Sequence, residues 1–458
     1  MRTTSRLALL AVTSLAVMIA SAAPLPETPP ATAGGVKATS MAASVFAEVS
    51  PAVVVITTTL TGSERRNSHG SGFIVNERGW AVTNFHVVSS ALFEPERYRL
   101  SHRRADGSLG DARVLAIDVI NDLAIVEIAS FGEGLAAGWK PVPIPGGERP
   151  PVLGESIFAI GNPLDLGVTV SQGTYSGTIA GTFDSRIHLT GALNPGMSGG
   201  PAVDEAGRLV GVNVARSLNG ELVSFLVPAH LARQLIDAAG RHAGLDHATL
   251  RELISGQLRE RQSEITQLAF DQPWQREQLG PYSVPIFLGD HSDCGASSND
   301  SPHRPPAARV RSLSCWLKTS AMPQPNNRSA TLSYTHTLIA PQTPDRLNAF
   351  QIAASADSHF SRHLRSRNTA MTRQTCEDRF TLAGTDESLP VRVLWCVQAY
   401  RDFEDVYDIS FSVATQDRGD TVLVSQLSLE GFTFDNALRL TEQFLRHLDN
   451  GHAPADPS

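Results

Sequence analysis

Between residues 52 and 227 the chain runs in short β-branched stretches, beginning with Ala52-Val53-Val54-Val55-Ile56 and separated by clusters of Gly, Asn and Asp. That alternation predicts an all-β unit. A short helix is expected just ahead of it, over 45–49. After Pro228 the period changes: apolar residues return every three or four positions over 231–238 and 248–268, with Arg, Glu and Gln between them, which predicts helices. Residues 289–327 are dense in Ser, Pro, Asn and Asp and read as loop. From Ala330 a small α+β unit is expected, with strands over 330–338, 379–382, 391–399, 406–413 and 421–429, a helix over 344–354 and a closing helix over 436–448.

The N-terminus carries a different pattern. Arg2 and Arg6 precede an apolar run from Leu7 to Ala20 and the small residues Ala20-Ser21-Ala22, the arrangement of an export signal cleaved near Ala22. The run is shorter than the roughly 20 residues that span a bilayer, so no membrane span is expected after cleavage. Residues 23–42, rich in Pro, Thr, Ala and Gly, read as an unstructured spacer. A net charge of −8 with 18% charged residues and no basic stripe argues against nucleic acid as a partner.

The chemistry lies in three segments of the β-rich unit. Asn194-Pro195-Gly196-Met197-Ser198-Gly199-Gly200-Pro201 presents Ser198 on a glycine-rich turn whose backbone N–H groups could face an oxyanion. Upstream are Thr83-Asn84-Phe85-His86-Val87-Val88 and Asn121-Asp122-Leu123-Ala124-Ile125-Val126, giving the order His, Asp, Ser. Gly196-Met197-Ser198-Gly199-Gly200 also fits G-x-S-x-G, but an α/β-hydrolase elbow needs its partners after the serine and a helix following it. Here the partners come first and Leu209 to Val214 reads as a strand. Singly, each residue has an ordinary reading as a turn or strand-end residue; their conjunction is what carries weight.

With Gly70-Ser71-Gly72-Phe73-Ile74-Val75 ahead of the histidine segment, and Ala159-Ile160-Gly161-Asn162-Pro163 with Val168 to Gly173 ahead of the serine loop, the chain resembles the trypsin-like serine peptidases, the bacterial HtrA/Deg type above all. The resemblance covers roughly residues 45–235. It implies a double Greek-key barrel with His86 and Asp122 in the first barrel, Ser198 in the second and the cleft between them. It further implies a Ser198, His86, Asp122 triad, an oxyanion hole from the N–H groups of Gly196 and Ser198, polypeptide substrates and no cofactor. Met197 stands where HtrA enzymes usually have Asn and digestive trypsins have Asp. Ala192, six residues before Ser198, replaces the aspartate that selects basic side chains. With Leu193, Asn213, Val214 and Ala215 as candidate pocket residues, a small or medium apolar P1 residue is expected.

All four cysteines, Cys294, Cys315, Cys376 and Cys396, fall in the C-terminal half, which suits an oxidising compartment, periplasmic or extracellular. Three pairings are possible, and the sequential one closes the most local loops. His291, Asp293 and Cys294 lack the paired spacing of a zinc site, so no metal is expected. The organisation expected is a signal over 1–22, the spacer over 23–42, the peptidase domain over 43–240, a helical segment over 241–280, a linker over 281–329 and an α+β domain of open role over 330–450, with no PDZ signature. The alternatives are a catalytically inactive trypsin-fold protein that binds exposed chains, and an envelope interaction protein whose C-terminal domain is the main actor.

Overall fold

The computed structural model describes residues 40–451 apart from 64, 129–139, 147–150, 180–183, 217–220, 241–245, 302–305, 318–329, 344–346 and 361–370. The expected signal and most of the spacer lie outside these residues. After helix α1 (Met41–Val49), strands β1 (Val53–Leu60), β2 (Arg66–Ile74), β3 (Trp80–Thr83), β4 (Tyr98–Arg104), β5 (Leu109–Asp118) and β6 (Leu123–Ile128) close a barrel in the order β1-β2-β3-β6-β5-β4, with α2 (Phe85–Phe93) between β3 and β4. A second closed barrel, β10-β11-β12-β9-β8-β7, is built from β7 (Ser156–Gly161), β8 (Thr169–Thr178), β9 (Ile187–Thr190), β10 (Pro201–Val203), β11 (Leu209–Arg216) and β12 (Val223–Pro228).

The near-continuous apolar runs of β1 and β6 follow from burial on both faces. Val54 and Ile56 point into one cluster with Val87, Val88 and Leu92 of α2, while Val53 joins Phe73, Val82 and Leu123 in another that reaches Phe158, Val212 and Val227 of the second barrel. Helix α3 (Ala229–Ala239) adds Ala232, Leu235 and Ala239 to the latter.

Helix α4 (His247–Asp271) then runs 25 residues, about 37 Å at 1.5 Å per residue. Its first half sets Leu250, Ile254 and Leu258 in the α2 cluster of the first barrel, and its second half sets Ile265 and Ala269 in a different core. That core belongs to a seven-stranded antiparallel sheet. The hairpin β13 (Gln275–Leu279) and β14 (Tyr282–Ile286) leads into β15 (Ser292–Ser298), β16 (Ala308–Leu317), β17 (Thr331–Pro341), helix α5 (Ala349–Phe360), β18 (Thr375–Ala383), β19 (Leu389–Ala399), β20 (Tyr407–Thr415), β21 (Val422–Phe432) and α6 (Phe434–Arg446). The order is β15-β16-β17-β21-β20-β19-β18. One face packs on α6 through Ala437, Leu440 and Phe444, at helical spacing, and the other on α5 through Ile352, Ala356 and Phe360.

Two differences from the sequence pattern stand out. The segment expected as a linker over 281–329 contains β14, β15 and β16, so the C-terminal sheet begins well before Ala330. β15 is a solvent-exposed edge strand of small polar residues, held by its backbone ladder to β16 and by the Cys294–Cys315 disulfide, with no apolar alternation to betray it. The helical segment over 241–280 likewise gives way to β13 after Asp271. Cys376 pairs with Cys396.

Candidate active site

Strands β3 and β6 pair with Thr83 opposite Ala124, so the residues just after Thr83 and just before Leu123 emerge at the same end of the first barrel. His86 sits there in the first turn of α2 and Asp122 at the mouth of β6. The His86 Nδ1–Asp122 Oδ2 separation is 2.6 Å, and the other carboxylate oxygen accepts from the His86 backbone N–H at 2.9 Å. Asp122 has φ of 58°, a left-handed conformation that costs a non-glycine residue on the order of 1 kcal/mol or more. It is held there by its own carbonyl, which accepts from Asn84 Nδ2 at 2.7 Å and Phe85 N at 3.2 Å. Burial by itself would lower the His86 imidazole; the charge of Asp122 and the hydrogen bond to it outweigh burial and hold the group above its ordinary value of 6.5.

Ser198 comes from the second barrel, on the turn between β9 and β10. Its carbonyl accepts from Ser71 N of β2 at 2.7 Å, which ties the two barrels together at the serine. Its hydroxyl donates to the Val214 carbonyl at 3.2 Å, and no hydrogen bond joins it to His86 among the described residues.

The turn itself is fixed by backbone contacts. Leu164 N donates to the Pro195 carbonyl at 2.9 Å, and because the intervening peptide is trans, the Gly196 N–H is turned the other way. The Gly196 carbonyl accepts from Ser71 Oγ at 2.7 Å, and that hydroxyl in turn accepts from Asn162 N at 2.9 Å. Met197 N is taken by the Asn194 carbonyl at 3.0 Å and Gly199 N by the Asn213 carbonyl at 2.8 Å. The N–H groups of Gly196 and Ser198 are left without a partner among the described residues. Gly196 has φ of +97°, and a side chain there would overlap the Asn162 carbonyl; Gly199, at +84°, would overlap Ser71.

Met197 is 2% exposed and packs with Ile157, Leu189, Leu193 and Leu226 inside the second barrel. Its side chain points away from the cleft, so the apolar residue in this position serves the core while the backbone orders the loop. The pocket candidates separate. Leu193 belongs to that same core, and Asn213 is fully buried, donating to the carbonyls of Ile160 at 3.1 Å and Met197 at 3.3 Å as a brace beneath the serine loop. Ala192 is exposed, Val214 presents its carbonyl to Ser198, and the Ala215 side chain lies outside the described residues. Ser71 was not singled out by the sequence, although it sits in the Gly70-Ser71-Gly72 run, where flanking glycines leave room for close backbone approach: a side chain at Gly70 would come within 2.9 Å of the Ser198 carbonyl.

Residues 70–212 match the family model of the trypsin-like peptidase domain. The "Probable periplasmic serine endoprotease DegP-like" of Brucella suis is 35% identical over 184 residues, 38% of this chain and 34% of that protein. The serine endoprotease DegS of Escherichia coli is 33% identical over 179 residues, 37% of this chain and 47% of that protein. Protease Do-like 1, chloroplastic, of Arabidopsis thaliana is 33% identical over 212 residues, covering 42% and 46%. A solved serine endoprotease from Yersinia pestis is 28% identical, covering 44% of this chain and 66% of its own, with a TM-score of 0.38. This chain therefore carries a region similar to trypsin-like serine peptidases of the DegP and DegS kind, and the match spans less than half the length of each of these curated relatives.

Proposed function

We propose that the protein is an exported serine endopeptidase whose acyl transfer runs through Ser198, His86 and Asp122. The observation that carries the reading is the pair of N–H groups at Gly196 and Ser198 that have no partner among the described residues, on a turn whose carbonyls from Asn194 to Ser198 are each bonded. In this reading Ser198 Oγ swings from the Val214 carbonyl to His86 Nε2, gives up its proton there and attacks a peptide carbonyl; the oxyanion takes the two N–H groups, and His86 returns the proton to the leaving amine. Asp122 fixes the imidazole tautomer and stabilises the imidazolium. We read the two barrels as the paired Greek-key barrels of this fold, the peptidase domain as residues 43–240, and the preferred P1 residue as small or medium and apolar. The periplasmic description of the Brucella relative supports export, and among the described residues no helix is long and apolar enough to cross a membrane.

The alternative, an inactive member that binds exposed chains, draws on the bond from Ser198 to Val214. A fluorophosphonate probe separates the two. The purified protein is expected to be labelled at Ser198, with labelling lost in Ser198→Ala and His86→Ala; no labelling of the folded wild type favours the binder. Because His86 must be neutral to act as base and its pKa is raised, the labelling rate is expected to fall as pH drops through a value above 6.5.

Ser71→Ala is expected to lower kcat about tenfold or more with KM nearly unchanged, since its hydroxyl holds the Gly196 carbonyl and thereby the donor next to it. Steady-state kinetics on a peptide substrate checks this, and a rise in KM with kcat intact would contradict it.

A further inference from the structure

Beside Asn121, the residue before Asp122, lies a buried charge cluster that the triad does not use. Arg186, just ahead of β9, is 1% exposed, and its Nη1 donates to the Ser185 carbonyl at 3.0 Å and lies 3.4 Å from Asn121 Oδ1. Asn121 is the residue preceding Asp122, and its own N–H and side-chain amide donate to Asp118 at 2.9 and 2.8 Å. On the other flank Arg261 of α4 is ion-paired with Asp184, their side chains 5% and 1% exposed. Five formal charges thus lie close together: Asp184 and Arg186 from the chain entering β9 and Arg261 from α4, all buried, and the part-buried Asp118 and Asp122 at the ends of β5 and β6, with the exposed Glu264 one turn further along α4.

Buried charges persist only when paired, and unlike surface pairs they are felt over several ångströms. Burial pushes the Arg186 guanidinium below its ordinary value, and the carboxylates of Asp184, Asp122 and Asp118 act against that shift. Asp184 is the foremost of these carboxylates for Arg186 and is also the ion-pair partner of Arg261, so the two guanidiniums share it, and Asp118 and Asp122 balance the part of the Arg186 charge that Asp184 leaves. Removing Arg261 would turn Asp184 further toward Arg186.

We infer that Arg186 is a positioning residue for the Asp122–His86 pair, acting as the buried counter-charge of the Asp118 and Asp122 carboxylates, and that helix α4 sets its strength through Arg261 and Asp184. The inference rests on the peptidase reading for its catalytic meaning, but not for its electrostatics. It makes the segment beyond the barrels part of the site, because a helix rooted in the C-terminal sheet sets the field felt by the base.

The test is the titration of His86 in the full chain, followed by NMR of isotopically labelled histidine with the His86 signal assigned by His86→Gln. Arg186→Gln and Arg261→Gln are each expected to raise the His86 midpoint by about half a unit, since removing a cation favours the imidazolium. Asp184→Asn is expected to lower it by a similar amount. A structural role alone would not produce opposite signs from neighbouring variants. Shifts absent in all three, or of one sign throughout, would overturn the inference; should Arg186→Gln fail to fold, the opposed pair Arg261→Gln and Asp184→Asn decides it. Fluorophosphonate labelling of the same wild-type sample keeps the two readings apart: the expected titration without label at Ser198 would remove the peptidase reading and leave the network standing.

Discussion

Asp122→Asn is expected to reduce kcat about 10⁴-fold while leaving the fold and KM nearly intact. The substitution keeps the size of the side chain, and one amide oxygen can still accept from the His86 backbone N–H, now 2.9 Å from the carboxylate. The 2.6 Å contact to Nδ1 is different: an amide NH₂ facing that nitrogen would donate to it, moving the imidazole proton to Nε2, where it can no longer accept from Ser198. The acid limb should move as well. With the charge of Asp122 gone, burial acts unopposed on His86 and its pKa drops, so the residual rate should persist to lower pH than in the wild type. Kinetics across pH check both parts. A loss of less than about tenfold would mean that Asp122 is not the residue orienting the base.

Ending the chain after Asn327 is expected to leave no soluble, active peptidase. The barrels do not close off their own core: Leu250, Ile254 and Leu258 of α4 fill the cluster that holds α2, and Met371, Tyr400 and Val406, next to the ends of β18, β19 and β20, lie in the same cluster. Phe93, at the end of the helix that carries His86, meets Phe403 edge-on at 6.1 Å. Removing a buried Leu- or Met-sized side chain costs on the order of 2–5 kcal/mol, and a truncation that strips several exceeds the ordinary stability of a domain. It would also remove β17 to β21 and strip the cover from Ile265 and Ala269 in the second half of α4. Expression of residues 40–327 followed by thermal unfolding and labelling at Ser198 checks this; a cooperative transition with full labelling would establish an independent peptidase unit.

The residues most open to sequence reasoning were those whose type is constrained by local chemistry. Gly196 and Gly199 can be recognised because their backbone conformation excludes a side chain, and Ser198 stands between them. His86 and Asp122 each adjoin a short apolar strand that sets their place. The supports were harder to see. Ser71 acts on Gly196 across 125 positions, and Arg261 meets Asp184 across 77. Read along the chain, Arg261 stands among Arg, Glu and Gln and looks solvated. Helix α4 conceals its burial further: the buried stripe Leu250, Ile254, Leu258, Arg261, Ile265 and Ala269 runs its whole length at three- and four-residue spacing, but an arginine interrupts it and the stripe passes from the barrel cluster to the sheet cluster. β15 was hidden for the opposite reason: its strand character comes from pairing, and its side chains carry none of it.

The two disulfides occupy corresponding places in the C-terminal sheet. Cys294 and Cys315 face each other across β15 and β16, Cys376 and Cys396 across β18 and β19, and β15 and β18 are the two outermost strands. Each closes a loop of about 20 residues, for which chain entropy gives about 3 kcal/mol. An open sheet ordinarily frays from its borders inward, and a loosened border strand is a template for pairing with another chain. Here both borders are riveted, so unzipping must begin with a chemical event. In an oxidising compartment the sheet behaves as one plate; under a reductant its rims become its weakest part, and the helix anchored on that plate inherits the change.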